Sequence, residues 1–71
     1  MTDASREYTM QLLATMVIAD RAKKEGRSQE DVFREFRRSN TFADLFDPEI
    51  DFWMNGPDYI SEEYDLEIAR R

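Results

Sequence analysis

The chain contains 71 residues with a formal net charge of −6, and it has no cysteine and no histidine. These two absences exclude disulfides, thiolate metal sites, histidine general bases and cysteine nucleophiles. The length predicts a single domain over residues 1–71, close to the lower limit for a self-sufficient core. Domains of this size are commonly stabilised further by disulfides, metals or oligomerisation, and of these oligomerisation remains open to this chain.

The first predicted helix contains the most apolar stretch of the chain, residues 10–19, in which eight of ten side chains are apolar. At 100° per residue these side chains fall on nearly every side of the helix. A helix that is apolar all round is normally enclosed by other elements, so the rest of the chain is expected to wrap it, or a second copy to help. We expect Thr2 or Asp3 to cap this helix and Gly26 to end it after Glu25.

A second helix is predicted to start at Ser28, whose hydroxyl can accept a hydrogen bond from the amide of Asp31. It is expected to end near Arg38 or Ser39. Its apolar stripe, directed at the first helix, consists of Val32, Phe33 and Phe36.

Two further helical segments are predicted before the clearest break in the chain. Thr41 is expected to cap a short helical turn, and Asp47-Pro48 fits the cap and first residue of a third helix that reaches Met54. One unbroken helix over residues 41–54, kinked at the proline, is the alternative. Asn55-Gly56-Pro57 then predicts a left-handed residue followed by a helix breaker.

The final segment has apolar residues at every fourth position, which predicts a helix capped by Asp58 or Ser61. Its acidic side chains are expected on the exposed face: Glu62, Glu63, Asp65 and Glu67. No run of alternating β-branched residues predicts a strand. The predicted fold is therefore all-α, a compact bundle of three main helices plus a short helical turn, wrapped around the N-terminal helix.

Catalytic and metal-binding patterns are not evident in the sequence. The acidic run from Asp44 to Asp51 does not match the ligand spacing of an EF-hand, and two glycines cannot build a phosphate loop. We therefore expect no enzyme activity, no metal and no cofactor. The most apolar stretch is about half a membrane span, so no membrane association is expected and a cytoplasmic location is the default.

Charge is divided unevenly along the chain. Residues 1–39 carry eight basic and seven acidic side chains, whereas residues 40–71 carry two basic and nine acidic ones. The acidic half disfavours nucleic acid as a partner and suits a basic protein. Phe52 and Trp53 are adjacent, so one helix face cannot bury both, and a part-exposed aromatic is a typical anchor for a protein partner. The predicted partner-binding residues are Phe52, Trp53, Glu62, Glu63 and Asp65.

Two segments also resemble a family of small bacterial helical proteins of unknown function. The first is Ser28-Gln-Glu-Asp-Val-Phe-Arg-Glu-Phe36, and the second is Gly56-Pro-Asp-Tyr-Ile-Ser-Glu-Glu-Tyr-Asp-Leu-Glu-Ile68. An aromatic-rich helical segment lies between them, so the resemblance covers residues 28–68. Members are similar to antitoxin-like proteins encoded beside toxin-like genes, so the resemblance implies a protein-binding role. This chain has Trp53-Met54-Asn55 where the family usually has Leu-His before the glycine.

Three functional hypotheses follow from the sequence. The first is a non-enzymatic, antitoxin-like protein-interaction module that binds a basic partner through its acidic C-terminal half. The second is an acidic phage or mobile-element inhibitor that mimics the charge of nucleic acid, and the third is a structural homodimer subunit without its own site. The shared face of Met10, Leu13 and Val17 is predicted to be core, with a homodimer interface as the alternative.

Overall fold

The structure is a computed structural model that describes residues 3–71, except for the side chain of Asp3. Its elements are α1 (Asp3–Glu25), α2 (Gln29–Phe36), α3 (Asn40–Leu45), a 3-10 turn (Phe52–Met54) and α4 (Pro57–Ala69). The described residues form no strand, so the predicted all-α bundle is confirmed. The cap expected from Thr2 or Asp3 rests on side chains outside the described part of the chain.

The end of α1 follows the sequence prediction. Gly26 takes the left-handed conformation, with φ of +64°, directly after the last helical residue. The amide of Arg27 then donates to the carbonyl of Ala22 at 3.0 Å, which satisfies one of the free carbonyl groups at the helix end. The chain can therefore reverse and pack α2 against α1.

The core lies on one side of α1. Met10, Leu13 and Val17 are all buried there, which confirms the core prediction for their face. α2, α3, α4 and the 3-10 turn all contact α1. The opposite side of α1 nevertheless stays open, because Tyr8 and Leu12 remain exposed.

The caps of α2 and α3 are both serines. The Ser28 hydroxyl accepts from the amide of Asp31 at 3.1 Å, as predicted, whereas α3 is capped by Ser39 rather than Thr41. Ser39 accepts from the amide of Phe42 at 3.0 Å, and its hydroxyl donates to the carbonyl of Phe36 at 2.6 Å. These two bonds fix the turn between α2, which ends slightly earlier than expected, and α3.

The helix predicted from Pro48 to Met54 is wrong. Asp47 does accept a hydrogen bond from the amide of Glu49 at 2.9 Å, as an N-cap would. The residues that follow form a turn instead of a helix. Asp51 has φ of +52°, a left-handed conformation that ends any right-handed helix. A single 3-10 turn, Phe52–Met54, follows Asp51, because only these three residues lie before the break at Asn55.

The break before α4 has a different geometry from the predicted one. Asn55 and Gly56 have φ of −83° and −73°, so neither residue is left-handed. Gly56 is the N-cap of α4 and Pro57 is its first residue, where proline needs no amide partner. The caps expected from Asp58 or Ser61 are therefore wrong.

The centre of the core consists of side chains from all four helices. Its fully buried large members are Tyr64, Phe36, Leu45, Ile60, Val17 and Val32. The rings of Phe36 and Tyr64 pack with centroids 4.8 Å apart, and Phe42 meets Phe36 edge-on at 5.5 Å. These contacts join α2, α3 and α4 over the buried face of α1 and fix the relative positions of the helices.

Candidate functional site

An acid-lined groove runs between α1 and α4, with a volume of about 460 Å³. Its walls are Met16, Val17, Asp20 and Lys24 from α1, and Pro57, Asp58, Ser61, Glu62 and Asp65 from α4. We call this surface the acidic groove. Its concave shape, apolar wall and excess of carboxylates make it the candidate site for a basic ligand.

The four carboxylates of the acidic groove are not equally neutralised. Asp20 pairs with Lys24 at 3.1 Å, and Asp65 pairs with Arg21 at 2.7 Å. Asp58 and Glu62 are exposed and have no cation partner among the described residues. The field in the groove is therefore negative, and two carboxylates are available to an incoming cation.

The structure brings together two of the five predicted partner-binding residues, Glu62 and Asp65, which share the acidic groove. Glu63 does not line it and is half-buried. Phe52 and Trp53 are half-buried against the core, away from the groove lining. The sequence analysis therefore identified two carboxylates of the acidic groove. The predicted acidic residues and the Phe52-Trp53 pair do not, however, form one patch.

The aromatic pair has a packing role in the structure. The ring of Phe52 lies 5.5 Å from that of Tyr59 at the start of α4. The indole nitrogen of Trp53 is buried and has no hydrogen-bond partner within residues 3–71. Both rings therefore help to hold the 3-10 turn against the bundle.

A polar network holds α4 in place beside α1. The guanidinium of Arg21, which also pairs with Asp65, lies 4.6 Å from the centre of the Tyr64 ring. The Tyr64 hydroxyl donates to Glu35 of α2 at 3.1 Å, and Glu35 also pairs with Arg27 at 3.2 Å. Burial, together with the Glu35 carboxylate, raises the pKa of Tyr64 to about 12.

Glu67 has a structural role that its position in the sequence did not predict. Its carboxylate accepts from the amide of Asn40 at 2.9 Å, and from the amide and hydroxyl of Thr41 at 2.8 and 2.7 Å. Burial acts to raise the pKa of Glu67, but these bonds and a contact with Arg71 outweigh it, and the pKa lies below its ordinary value. The carboxylate of α4 therefore caps α3, and the prediction that Glu67 is exposed is wrong.

A second groove, between α1 and the α2–α3 pair, has aromatic walls and a volume of about 530 Å³. Phe33 is 45% exposed at its rim, which contradicts the prediction that it is buried with Val32 and Phe36. Phe42 and Phe46 pack beside it with ring centroids 4.6 Å apart. Consecutive helical residues point about 100° apart, so the pair Val32-Phe33 already indicated that one of the two could not face the core.

No protein-family model, curated protein or solved structure matches this chain. Within residues 3–71, no helix has the length and apolarity required to cross a membrane. No group of three acidic side chains in this described part is placed to hold a metal ion.

Proposed function

We propose that the protein is a non-enzymatic interaction module whose acidic groove binds a basic segment of a protein partner. The observation that supports this function is the pair of unneutralised carboxylates, Asp58 and Glu62, on the wall of a concave surface. Complementary charge speeds the encounter of two proteins and discriminates against wrong partners. The lack of histidine and cysteine favours binding over catalysis.

The wall of the groove adds an apolar component to this recognition. Met16 is 45% exposed and lies beside Val17 and Pro57 in the lining. Lysine and arginine can lay their aliphatic stems on such a surface while their charged ends pair with carboxylates. A lysine- or arginine-rich segment therefore fits both the charge and the apolar wall of the groove.

The proposal is tested with a short lysine- and arginine-rich peptide, and binding is measured by fluorescence anisotropy. The double variant Asp58→Lys, Glu62→Lys replaces two attractive contacts by repulsive ones and is expected to weaken binding by about tenfold or more. The matched control is Asp44→Lys, Glu49→Lys, which changes the net charge equally at exposed carboxylates outside the groove. The control is expected to weaken binding by about threefold or less.

An equal loss of affinity in the two double variants would show that the peptide responds only to net charge, and the acidic groove would not be a site. The antitoxin-like role that the resemblance implies stays a prediction, as do the nucleic-acid mimic and the cytoplasmic location. Co-purification with the product of a neighbouring gene tests the antitoxin-like role directly.

A further inference from the structure

A second charged surface lies along α2, beside the end of α4, and forms a groove with a volume of about 470 Å³. Its six lining residues are all charged: Arg27, Asp31, Arg34, Glu35, Arg38 and Arg71. We call this surface the arginine groove. It shares no residue with the acidic groove, and it contains four of the ten basic side chains of a chain whose net charge is −6.

The carboxylates that neutralise the arginine groove also serve other donors. Glu35 accepts a hydrogen bond from the Tyr64 hydroxyl at 3.1 Å in addition to its pair with Arg27 at 3.2 Å. Glu67 accepts three bonds from the start of α3, and its contact with Arg71 is longer, at 3.5 Å. The acidic partners of these arginines are therefore largely occupied by the bonds that hold the helices together.

Guanidinium donors are consequently in surplus on this surface. Arg38 is exposed and has no ion-pair partner among the described residues. Arg34 pairs with Glu30 and Asp31 of its own helix at 3.0 and 3.3 Å, but its side chain is 55% exposed. A guanidinium has more N–H donors than such pairs use, and its planar fork matches the oxygen atoms of an oxyanion. The arginine groove therefore has the donors for one more anionic group.

From this surplus we propose that the arginine groove binds a multiply charged phosphate anion. A phosphate group has more acceptor oxygens and more charge than a carboxylate, so it can engage more than one guanidinium at once. Every cation of the lining is an arginine, the residue suited to paired hydrogen bonds with phosphate. The lining has no apolar or aromatic side chain on which a base or an acyl chain could pack, so recognition depends on the oxyanion itself.

The proposal is tested with pyrophosphate as the probe, and binding is followed by NMR through the arginine Nε–H signals of the isotope-labelled full chain at constant ionic strength. The signals of Arg27, Arg34 and Arg38 are expected to shift and to saturate. The signal of Arg37, which is exposed outside the groove, is expected to stay in place. Citrate, which offers carboxylates instead, is expected to bind about tenfold more weakly than pyrophosphate.

Substitutions in the groove test the role of the guanidinium groups. Arg34→Gln, Arg38→Gln is expected to weaken pyrophosphate binding about tenfold. The matched control is Lys23→Gln, Arg37→Gln, which changes the net charge equally at exposed positions outside the groove and is expected to weaken binding by about twofold or less. All of these side chains are exposed, so both variants are expected to keep the helical circular dichroism of the wild type.

The variant Arg34→Lys, Arg38→Lys separates charge from geometry, because lysine keeps the charge but lacks the planar fork. It is expected to weaken binding about threefold, less than the glutamine variant does. Shifts that do not saturate, or an equal loss in the groove and control glutamine variants, would reduce the effect to general charge attraction and overturn the proposal. Equal affinity for citrate and pyrophosphate, or full affinity of the lysine variant, would also overturn it.

Discussion

Replacing Glu67 with glutamine tests whether a carboxylate on α4 holds the start of α3. The side chain of Glu67 is only 19% exposed, and its three hydrogen bonds from Asn40 and Thr41 measure 2.7 to 2.9 Å. Glu67→Gln keeps the shape but removes the charge, and it replaces one acceptor oxygen by an amino group. The lost charge assistance is about 0.5–1 kcal/mol for each bond, so we expect a destabilisation of about 2 kcal/mol.

Thermal unfolding, monitored by circular dichroism, measures this loss of stability. For a chain of this length, a destabilisation of about 2 kcal/mol lowers the Tm by about 10 °C. Glu63→Gln is the matched control, because Glu63 is half-buried on the same helix and has no hydrogen-bond or ion-pair partner among the described residues. It is expected to leave the Tm nearly unchanged. If Glu67→Gln and Glu63→Gln lower the Tm equally, the capping role is refuted.

The pH dependence of this difference has a defined sign. The pKa of Glu67 in the folded state lies below the ordinary value of 4.5, so its ionised form stabilises the fold. The stabilisation is complete above 4.5 and is lost as the pH falls through the lowered folded-state pKa. The stability gap between wild type and Glu67→Gln is therefore expected to be widest near neutral pH and to close in acid. A gap that is independent of pH would contradict the role of the charge.

Substitutions at two further positions, Val17 and Asp51, test the core and the left-handed turn. Val17→Asp puts a charge at a fully buried position and is expected to unfold the chain, whereas Leu12→Glu, at an exposed position of the same helix, is expected to keep its helical circular dichroism. A folded Val17→Asp variant would show that this face of α1 is not core. Asp51→Gly relieves a left-handed residue and is expected to raise stability in urea by roughly 0.5–1 kcal/mol, whereas Asp51→Ala is expected to lower it. A gain of stability in both variants would mean that the side chain of Asp51, rather than its left-handed backbone conformation, lowers the stability of the wild type.

Local chemistry predicted the features that depend on a few neighbouring residues. The stop of α1 at Gly26 and the cap at Ser28 each involve partners within five residues, so the sequence pattern contains all the necessary information. The core face of α1 was predictable for a similar reason, because helical spacing alone places Met10, Leu13 and Val17 together.

Long-range partners explain several of the wrong predictions. Three consecutive residues at the start of α3 are good N-caps by type: Ser39, Asn40 and Thr41. Which of them caps the helix depends on Glu67, which lies 26 residues beyond Thr41 and accepts a hydrogen bond from the Thr41 hydroxyl. The left-handed conformation of Asp51 is likewise only weakly marked by its residue type, since glycine is the usual choice at such a position and aspartate is a less frequent one. Of the predicted partner-binding residues, Glu62 and Asp65 share a surface because they lie three apart on one helix.

The cap that α4 provides for α3 also predicts an order of events during folding. A helix of six residues is far too short to persist alone in water, and closing the loop from Thr41 to Glu67 costs chain entropy. We therefore expect α3 to become helical only when the C-terminal helix arrives, as a late-forming element. Hydrogen exchange at the amides of Asn40 and Thr41, which both donate to Glu67, measures the docking of α4, and a chain that stops before Glu67 is expected to leave α3 unformed.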